Sequence, residues 1–260
     1  MLVRFFVIAF VLAWALTVPI ALHVQGFIPT RVLPPAAQWL IGIVPIVAAW
    51  WVTRGSAERA PWIENSFRLR VAPVWYAIAI GAPWLIFAVA MMARTATGQA
   101  LPTLSFSPLL AVFGAIWLVL ALGEEAGWRS FALPHMLRTR GFFVAATLLG
   151  LVWCVWHYPK LMSGPYFKLN AGSFAMLGLF SLQIVIANYL ICWLYVRTRS
   201  AILTSIFHAS WNVVSTAYFM AAVDLYITGT LLVAVVAVLT LDRQWLTRAD
   251  LPDTRRAAAS

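Results

Sequence analysis

The chain has 260 residues, of which 63% are hydrophobic and only 10% are charged. A soluble domain carries about 25% charged residues, so 18 basic and 8 acidic side chains are too few to cover a water-soluble core of this size. The net charge of +10 is spread in small groups between apolar stretches and forms no basic patch interleaved with aromatic residues, which argues against nucleic-acid binding.

Apolar stretches of about 20 residues, the length of a helix that crosses roughly 30 Å of hydrocarbon, recur along the chain. They predict eight transmembrane helices, over residues 5–22, 33–52, 72–93, 108–123, 142–158, 172–196, 200–220 and 222–241. The first stretch is interpreted as an uncleaved helix because no small-residue cleavage site follows it. The predicted fold class is therefore an all-α, polytopic membrane helix bundle.

The connections and the tail are predicted from composition. Residues 53–71 are the longest polar stretch, and Pro159 is expected to end the fifth span. Pro134 is expected to bend the segment that follows the fourth span. A single transmembrane domain is predicted over residues 1–241, followed by a cytoplasmic tail over 242–260 that is partly disordered.

The basic residues predict the orientation of the bundle. With eight spans, one side of the membrane receives 14 of the 18 basic residues and the other side receives 4. The side with fewer basic residues holds Arg31, Arg94, Lys160 and Lys168. Positive charge collects in cytoplasmic loops, so both termini are predicted to be cytoplasmic. The expected location is the bacterial cytoplasmic membrane.

Three further residues have simple structural interpretations. Cys154 and Cys192 lie inside apolar stretches and are expected to be unpaired core residues, because structural disulfides normally join exposed extracellular loops. Asp224 is expected to lie at the N-terminus of the last helix, beside the positive end of its dipole.

Ionisable groups at membrane depth are costly, about 2.5–3.5 kcal/mol each, and so indicate a function. Glu125 and Arg129 are one helical turn apart and can pair, whereas Glu124 has no partner in its own segment. Both carboxylates could instead form a wet cluster at a helix end. His157 could likewise be a residue of the membrane interface.

His208 and Asn212 lie one turn apart on the same helical face. They indicate either a shared polar site or hydrogen bonding between helices. In a hairpin that turns at residues 138–141, Glu124 and His157 are equally distant from the turn and lie at the same height. His208 lies nearer to its own turn, so the groups can meet at one level only if the segment at Pro134 lies along the membrane interface. On that condition the cost of polar groups in lipid predicts that the four residues share one pocket, with Asp224 and His135 outside it.

The three segments, taken in order, resemble a known family. Glu124-Glu125-xxx-Arg129, Trp153-xxx-His157 and His208-xxx-Asn212 are similar to the EExxxR, FxxxH and HxxxN/D motifs of the CAAX-processing and bacteriocin-immunity intramembrane proteases. The motifs span residues 124–212, within an expected family core over 108–220. Trp153 replaces the usual phenylalanine, which is expected to alter only packing. Ala126-Gly127-Trp128 stands where larger residues are usual, which is expected to change the surface facing substrate.

The resemblance implies an endopeptidase that hydrolyses peptide bonds inside the membrane. By position, Glu124 would be the general base that activates water and His157 would orient that water. His208 and Asn212 would donate to the oxyanion, while Glu125 and Arg129 would hold the site together. Substrates would be membrane-associated peptides or proteins, possibly with prenylated CAAX ends, and the surrounding partner is membrane lipid.

The cofactor remains open at this stage. Glu124, His157 and His208 are a ligand set that zinc accepts, with a fourth position left for water. No HExxH motif is present, so a mechanism without metal is expected alongside the zinc alternative.

Two other functions also stay open. A transporter could use the same polar cluster as an ion relay, although the chain shows no internal repeat. A catalytically silent scaffold or a bacteriocin-immunity protein of the same fold would carry the same motifs.

Overall fold

The computed structural model describes residues 1–164, 167, 169–218 and 224–242, and over these ranges the chain is helical without strands. The predicted tail lies outside the described residues, apart from Asp242. The α-helices are α1 Leu2–Val24, α2 Val44–Val52, α3 Arg59–Ser66, α4 Pro73–Ala96, α5 Leu109–Gly127, α6 Leu133–Leu137, α7 Phe142–Met162, α8 Ala171–Thr198, α9 Ala201–Ala217 and α10 Leu225–Leu241. A 3-10 helix, Pro35–Ile43, leads into α2, and a π-helical turn, Trp128–Ala132, joins α5 to α6.

The surface of the bundle is apolar, as expected for contact with lipid. Large apolar side chains such as Val11, Leu85, Met92 and Val233 are exposed. Six helical stretches among the described residues are long and apolar enough to cross a membrane, and α10 is a shorter apolar helix. The predicted class, an all-α integral membrane bundle, is confirmed. The count of eight spans and the cytoplasmic termini stay predictions.

Three predicted boundaries were wrong. The fourth span does not end at residue 123, because α5, the π turn and α6 follow one another without a break to Leu137. The fifth helix runs through Pro159 to Met162, and the polar stretch 53–71 contains α3. The first two differences share a cause, because neither the charged residues after 123 nor Pro159 ends its helix in the fold. The third arises because a polar stretch can still form a short helix.

The π turn lies immediately before Pro134, the second residue of α6. A proline lacks the amide hydrogen and crowds the carbonyl four residues earlier. Widening the preceding turn to the π form accommodates that crowding without ending the helix. The turn also sets where Arg129 points, since Arg129 lies within it.

Close helix packing places α5 at the centre of the bundle, against α9 on one side and α2 with its 3-10 helix on the other. Gly123 and Gly127 make this approach possible. A methyl group at Gly123 would overlap the Gly42 carbonyl, and one at Gly127 would overlap Pro45. Small residues four apart allow two helical backbones to touch in a membrane, and here they flank the Glu124-Glu125 pair.

The smaller structural predictions agree with the fold. Asp224 caps α10 by accepting hydrogen bonds from two backbone amides and also pairs with Arg94 at 2.9 Å. Cys154 and Cys192 are buried and unpaired. Arg129, which the orientation argument counted as a loop residue, is fully buried inside the bundle and adds nothing to the loop charge.

Candidate active site

A cavity of about 230 Å³ lies among the 3-10 helix, α5, α7, α8 and α9. Glu124, His157, His208 and Asn212 all line it, so the structure brings together the four residues of the predicted site. Most of the remaining wall is aromatic or aliphatic: Trp39, Trp117, Leu120, Trp153, Phe180, Ile184, Ile191, Phe207 and Trp211. A few polar groups converging in an apolar pocket are typical of a small-molecule or peptide site.

Glu124 presents its carboxylate to the cavity while the rest of the residue is buried, with 5% of its surface exposed. The indole N–H of Trp153 donates to Oε2 of Glu124 at 2.9 Å. Nε2 of His157 lies 3.9 Å from the same oxygen. This separation is longer than a direct hydrogen bond, and a polar contact at such a distance is suited to a bridging water.

The His157 ring is oriented by its own helix. Its Nδ1 lies 2.8 Å from the Trp153 carbonyl oxygen, one turn earlier. A carbonyl oxygen only accepts, so Nδ1 carries the hydrogen and Nε2 of the neutral ring is left as an acceptor. A water between Glu124 and His157 would therefore donate to both and direct a lone pair into the cavity.

The second carboxylate of the motif belongs to a buried network. Glu125 and Arg129 are both fully buried and pair at 2.9 Å, which confirms the predicted pairing. Arg129 also donates to Oδ1 of Asn188 at 2.7 Å and lies over the Trp153 ring, 4.1 Å from the ring centroid. These contacts offset part of the cost of burying the charge, although Nε of Arg129 and Oε2 of Glu125 are buried without a hydrogen-bond partner among the described residues.

This network also fixes His208. Nδ1 of His208 lies 3.1 Å from Oε1 of Glu125, the oxygen that pairs with Arg129. Because the carboxylate accepts, Nδ1 donates and Nε2 is left for the cavity. Asn212 lies one turn later on α9 and lines the cavity. Within the described ranges its side-chain amide makes no hydrogen bond, so the amide is available to a bound group.

Two expectations about the motifs were wrong. Trp153 does more than pack, because its N–H reaches Glu124 and phenylalanine has no such donor. Ala126, Gly127 and Trp128 do not shape the cavity. All three are buried on other sides of the helix, where Trp128 packs edge-on against Trp156 and the Ala126 carbonyl accepts from Trp62.

Two residues of the site were missed by sequence reasoning. Asn188 supports Arg129, and Lys160 lines the cavity. Asn188 is an amide inside an apolar stretch, and the cost of a polar group in lipid is the signal that could have found it. Lys160 was missed because Pro159 was taken as the helix end.

The residues expected outside the pocket are outside it. His135 pairs with Glu58 at 2.7 Å, and Asp224 caps α10. Within the described ranges, no three His, Cys, Asp or Glu side chains are grouped so that they could hold a metal ion. Of the three candidate zinc ligands, Glu124 accepts from Trp153, His157 Nδ1 contacts the Trp153 carbonyl and His208 Nδ1 contacts Glu125.

Comparison with known proteins gives a consistent result. A family model described as type II CAAX prenyl endopeptidase Rce1-like matches residues 105–214. Over these residues the chain is similar to that family. The match contains α5, α7 and most of α9, so every motif residue that lines the cavity falls inside the family region.

A curated relative is also named as a CAAX prenyl protease. CAAX prenyl protease 2 of Methanococcus maripaludis is 34% identical over 95 residues. The aligned region is 35% of this chain and 35% of the relative, so the match spans about a third of the length of that protein.

Proposed function

We propose that this protein is an intramembrane endopeptidase in which Glu124 activates a water molecule for attack on a peptide bond. The observation that carries the proposal is the pairing of a cavity-facing Glu124 carboxylate with His157 Nε2 at 3.9 Å. The family match supports the same reaction class. Substrates are membrane-associated peptides or proteins, including prenylated CAAX ends as the family's description suggests.

The first step is removal of a proton from water. Glu124 and His157 Nε2 both accept from the water, which leaves its lone pair free to attack the scissile carbonyl carbon. Glu124 takes the proton as the C–O bond forms, and later gives it to the leaving amine. Trp153 keeps Oε2 of Glu124 in place by its 2.9 Å hydrogen bond.

The negative charge that develops on the carbonyl oxygen needs donors positioned in advance. The Asn212 amide is available for this purpose, as argued above. His208 donates through Nε2 when its ring carries both protons, with Nδ1 held by Glu125. Removing one such donor in other hydrolases costs about 10²–10³ in kcat.

No metal takes part in these steps, in which Glu124 Oε2 is held by Trp153 and His208 Nδ1 by Glu125. A zinc-dependent reaction through Glu124, His157 and His208 is the alternative, and it makes a different prediction. Activity of the purified protein should survive 1,10-phenanthroline. Loss of activity with the chelator and its return on adding Zn²⁺ would favour the zinc mechanism.

The test is cleavage of a membrane-peptide library by purified protein in lipid vesicles, read by mass spectrometry. Wild type should produce fragments that are absent with Glu124→Ala, because that variant lacks the base. His135→Ala is the matched control, since it lies outside the cavity and should cleave the same peptides as wild type. Cleavage by Glu124→Ala at the wild-type rate would contradict the proposal.

A non-catalytic role for the same fold predicts no fragments from any variant. A transporter predicts ion or proton flux into vesicles that depends on Glu124 without peptide cleavage. Both alternatives can be measured with the same reconstituted protein.

A further inference from the structure

Two tryptophans and two arginines lie together where α2 ends and α3 begins. Trp50 and Trp51 belong to the last turn of α2, and both are exposed. The guanidinium carbon of Arg54 lies 4.7 Å from the centroid of the Trp50 ring and 5.4 Å from that of Trp51. The guanidinium carbon of Arg59 lies 5.3 Å from the same Trp50 ring. One exposed indole therefore has two positive charges beside it.

The turn between α2 and α3 produces this arrangement. Gly55 adopts a left-handed conformation, with a φ of 70°, and so changes the direction of the chain. The backbone N–H and the hydroxyl of Ser56 both donate to the Thr53 carbonyl oxygen, at 3.1 and 2.9 Å. These bonds close the turn, and α3 begins at Arg59. The backbone thus returns the second arginine to the Trp50 ring.

Neither arginine has a counter-ion among the described residues. The acid nearest in sequence, Glu58, pairs with His135 and Arg138 instead. In the described part of the chain, no carboxylate lies within ion-pair distance of Arg54 or Arg59. An aromatic face attracts a guanidinium group but does not neutralise it. Both charges are therefore available to an anion from outside the chain.

The position of these groups selects the kind of anion. Exposed tryptophans near helix ends are typical of the headgroup level of a membrane. This end of α2 belongs to the side that is predicted to be cytoplasmic, and cytoplasmic leaflets carry anionic phospholipids. A guanidinium group binds phosphate through paired N–H donors and can stack on an aromatic ring at the same time. A lipid phosphate at this level meets two such groups beside one ring.

We propose that Trp50, Arg54 and Arg59 form a binding site for the phosphate of an anionic phospholipid. The acyl chains lie along the apolar face of α2 that leads to the site. Val47 is exposed on this face, one turn before Trp50 and Trp51. None of these residues lines the cavity that holds Glu124, so the proposal does not depend on peptide cleavage.

The test is native mass spectrometry of the full-length protein in detergent, titrated with phosphatidylglycerol or with phosphatidylcholine of the same acyl chains. Wild type should bind the first phosphatidylglycerol about tenfold more tightly or better, the effect of two basic residues at an anionic headgroup. Arg54→Gln/Arg59→Gln should lose most of this preference. Arg54→Lys/Arg59→Lys should keep an intermediate preference, because lysine retains the charge without the paired donors.

Arg4→Gln/Arg70→Gln is the matched control. It removes two exposed arginines from the same predicted side of the membrane, and neither lies over an aromatic ring of the described residues. Its preference for phosphatidylglycerol should equal that of wild type. Melting midpoints without added lipid report whether each variant folds. Added phosphatidylglycerol should raise the midpoint of wild type and of the control more than that of Arg54→Gln/Arg59→Gln.

Three results would overturn the proposal. Arg54→Gln/Arg59→Gln could keep the wild-type preference, which would place the lipid elsewhere. The two glutamine double variants could lose the preference equally, which would show a diffuse effect of surface charge. Glycerophosphoglycerol or inorganic phosphate could displace the lipid at equal concentration, which would identify a small soluble phosphate as the occupant.

Discussion

The two adjacent carboxylates on α5 have different surroundings, and this difference assigns them different tasks. Glu125 is fully buried between Arg129 and His208, so its charge is held by the fold. Glu124 faces the cavity with Trp153 and His157 beside it. Because successive residues on a helix point about 100° apart, one dipeptide can provide both a supporting group and a reactive group.

Trp153→Phe tests whether the indole N–H positions Glu124. Phenylalanine keeps an aromatic ring near Arg129 but cannot donate to Oε2, so we expect kcat to fall about tenfold with little change in KM. Trp156→Phe is the control on the same helix. It removes a donor to the Ala9 carbonyl, keeps an aromatic ring against His157, and should reduce the melting midpoint while kcat is kept. Equal kcat losses in the two variants would remove the positioning role.

The site residues could be predicted because polar groups are rare in a lipid-facing chain. Glu124, His157, His208 and Asn212 stand out against apolar neighbours, and helical spacing places Glu124 and His157 at the same height. The Trp153 hydrogen bond could not be predicted, since one-dimensional spacing does not say which way an indole nitrogen points. Asn188 belongs to a helix whose register against α7 only the folded structure supplies.

At the scale of elements, hydropathy locates helices better than it locates their ends. The predicted spans at 72–93 and 172–196 correspond closely to α4 and α8. The fourth span was predicted to end too early because Glu125 and Arg129 count as polar in any hydropathy sum. Paired and buried in the fold, they continue the helix to Leu137.

The contact between α5 and α2 depends on glycine. Gly127→Ala should destabilise the protein by about 1–3 kcal/mol, because the added methyl group would overlap Pro45 and push the helices apart. Gly81→Ala is the control, since Gly81 is also helical and has open space around it. That variant should be as stable as wild type or slightly more stable. Thermal melting in detergent measures both, and an undiminished midpoint for Gly127→Ala would refute the close contact.

Ion pairs connect the loop before α3 to α6 and the residue that follows it. Glu58 pairs with Arg138 at 2.8 Å and with His135 at 2.7 Å. Burial raises the pKa of Glu58, but hydrogen bonds and positive charge from Arg138 and His135 outweigh burial and hold that pKa below its ordinary value of 4.5. A lowered pKa in the folded state means that the cluster stabilises the fold above about pH 4.5 and loses this contribution as pH falls further.

Glu58→Gln should therefore flatten the dependence of the melting midpoint on pH below about pH 4.5, relative to wild type. Glu64→Gln is the control, because Glu64 is largely exposed and its pair with Arg68 is worth little. If wild type and Glu58→Gln lose stability in parallel as the pH is lowered, the cluster does not stabilise the fold.

At the scale of the whole molecule, the distribution of charge predicts how the bundle sits in the membrane. With Arg129 buried inside the bundle, the predicted eight-span topology still puts most basic loop and tail residues on the side to which it assigns both termini. The cavity lies towards the end of the bundle that is farther from the turn at 138–141. Trp39, Leu161 and Asn212 all line it, and each lies towards the helix end that is away from this turn.

Reporter fusions test this orientation. A fusion within residues 53–71 should report the cytoplasm, and one after Ser163 should report the opposite side. Reporters on the same side of the membrane would contradict the predicted eight-span topology.

The central claim is that Glu124 is the general base, and the kcat/KM of Glu124→Gln on a peptide cleaved by wild type tests it most directly. The amide has the same shape and cannot take a proton from water, so kcat/KM should fall by about 10²–10⁴ while the melting midpoint is retained. Glu125→Gln should lose stability as well, by about 3–5 kcal/mol, because Arg129 would be left buried without its partner. Wild-type kcat/KM in folded Glu124→Gln would contradict the claim.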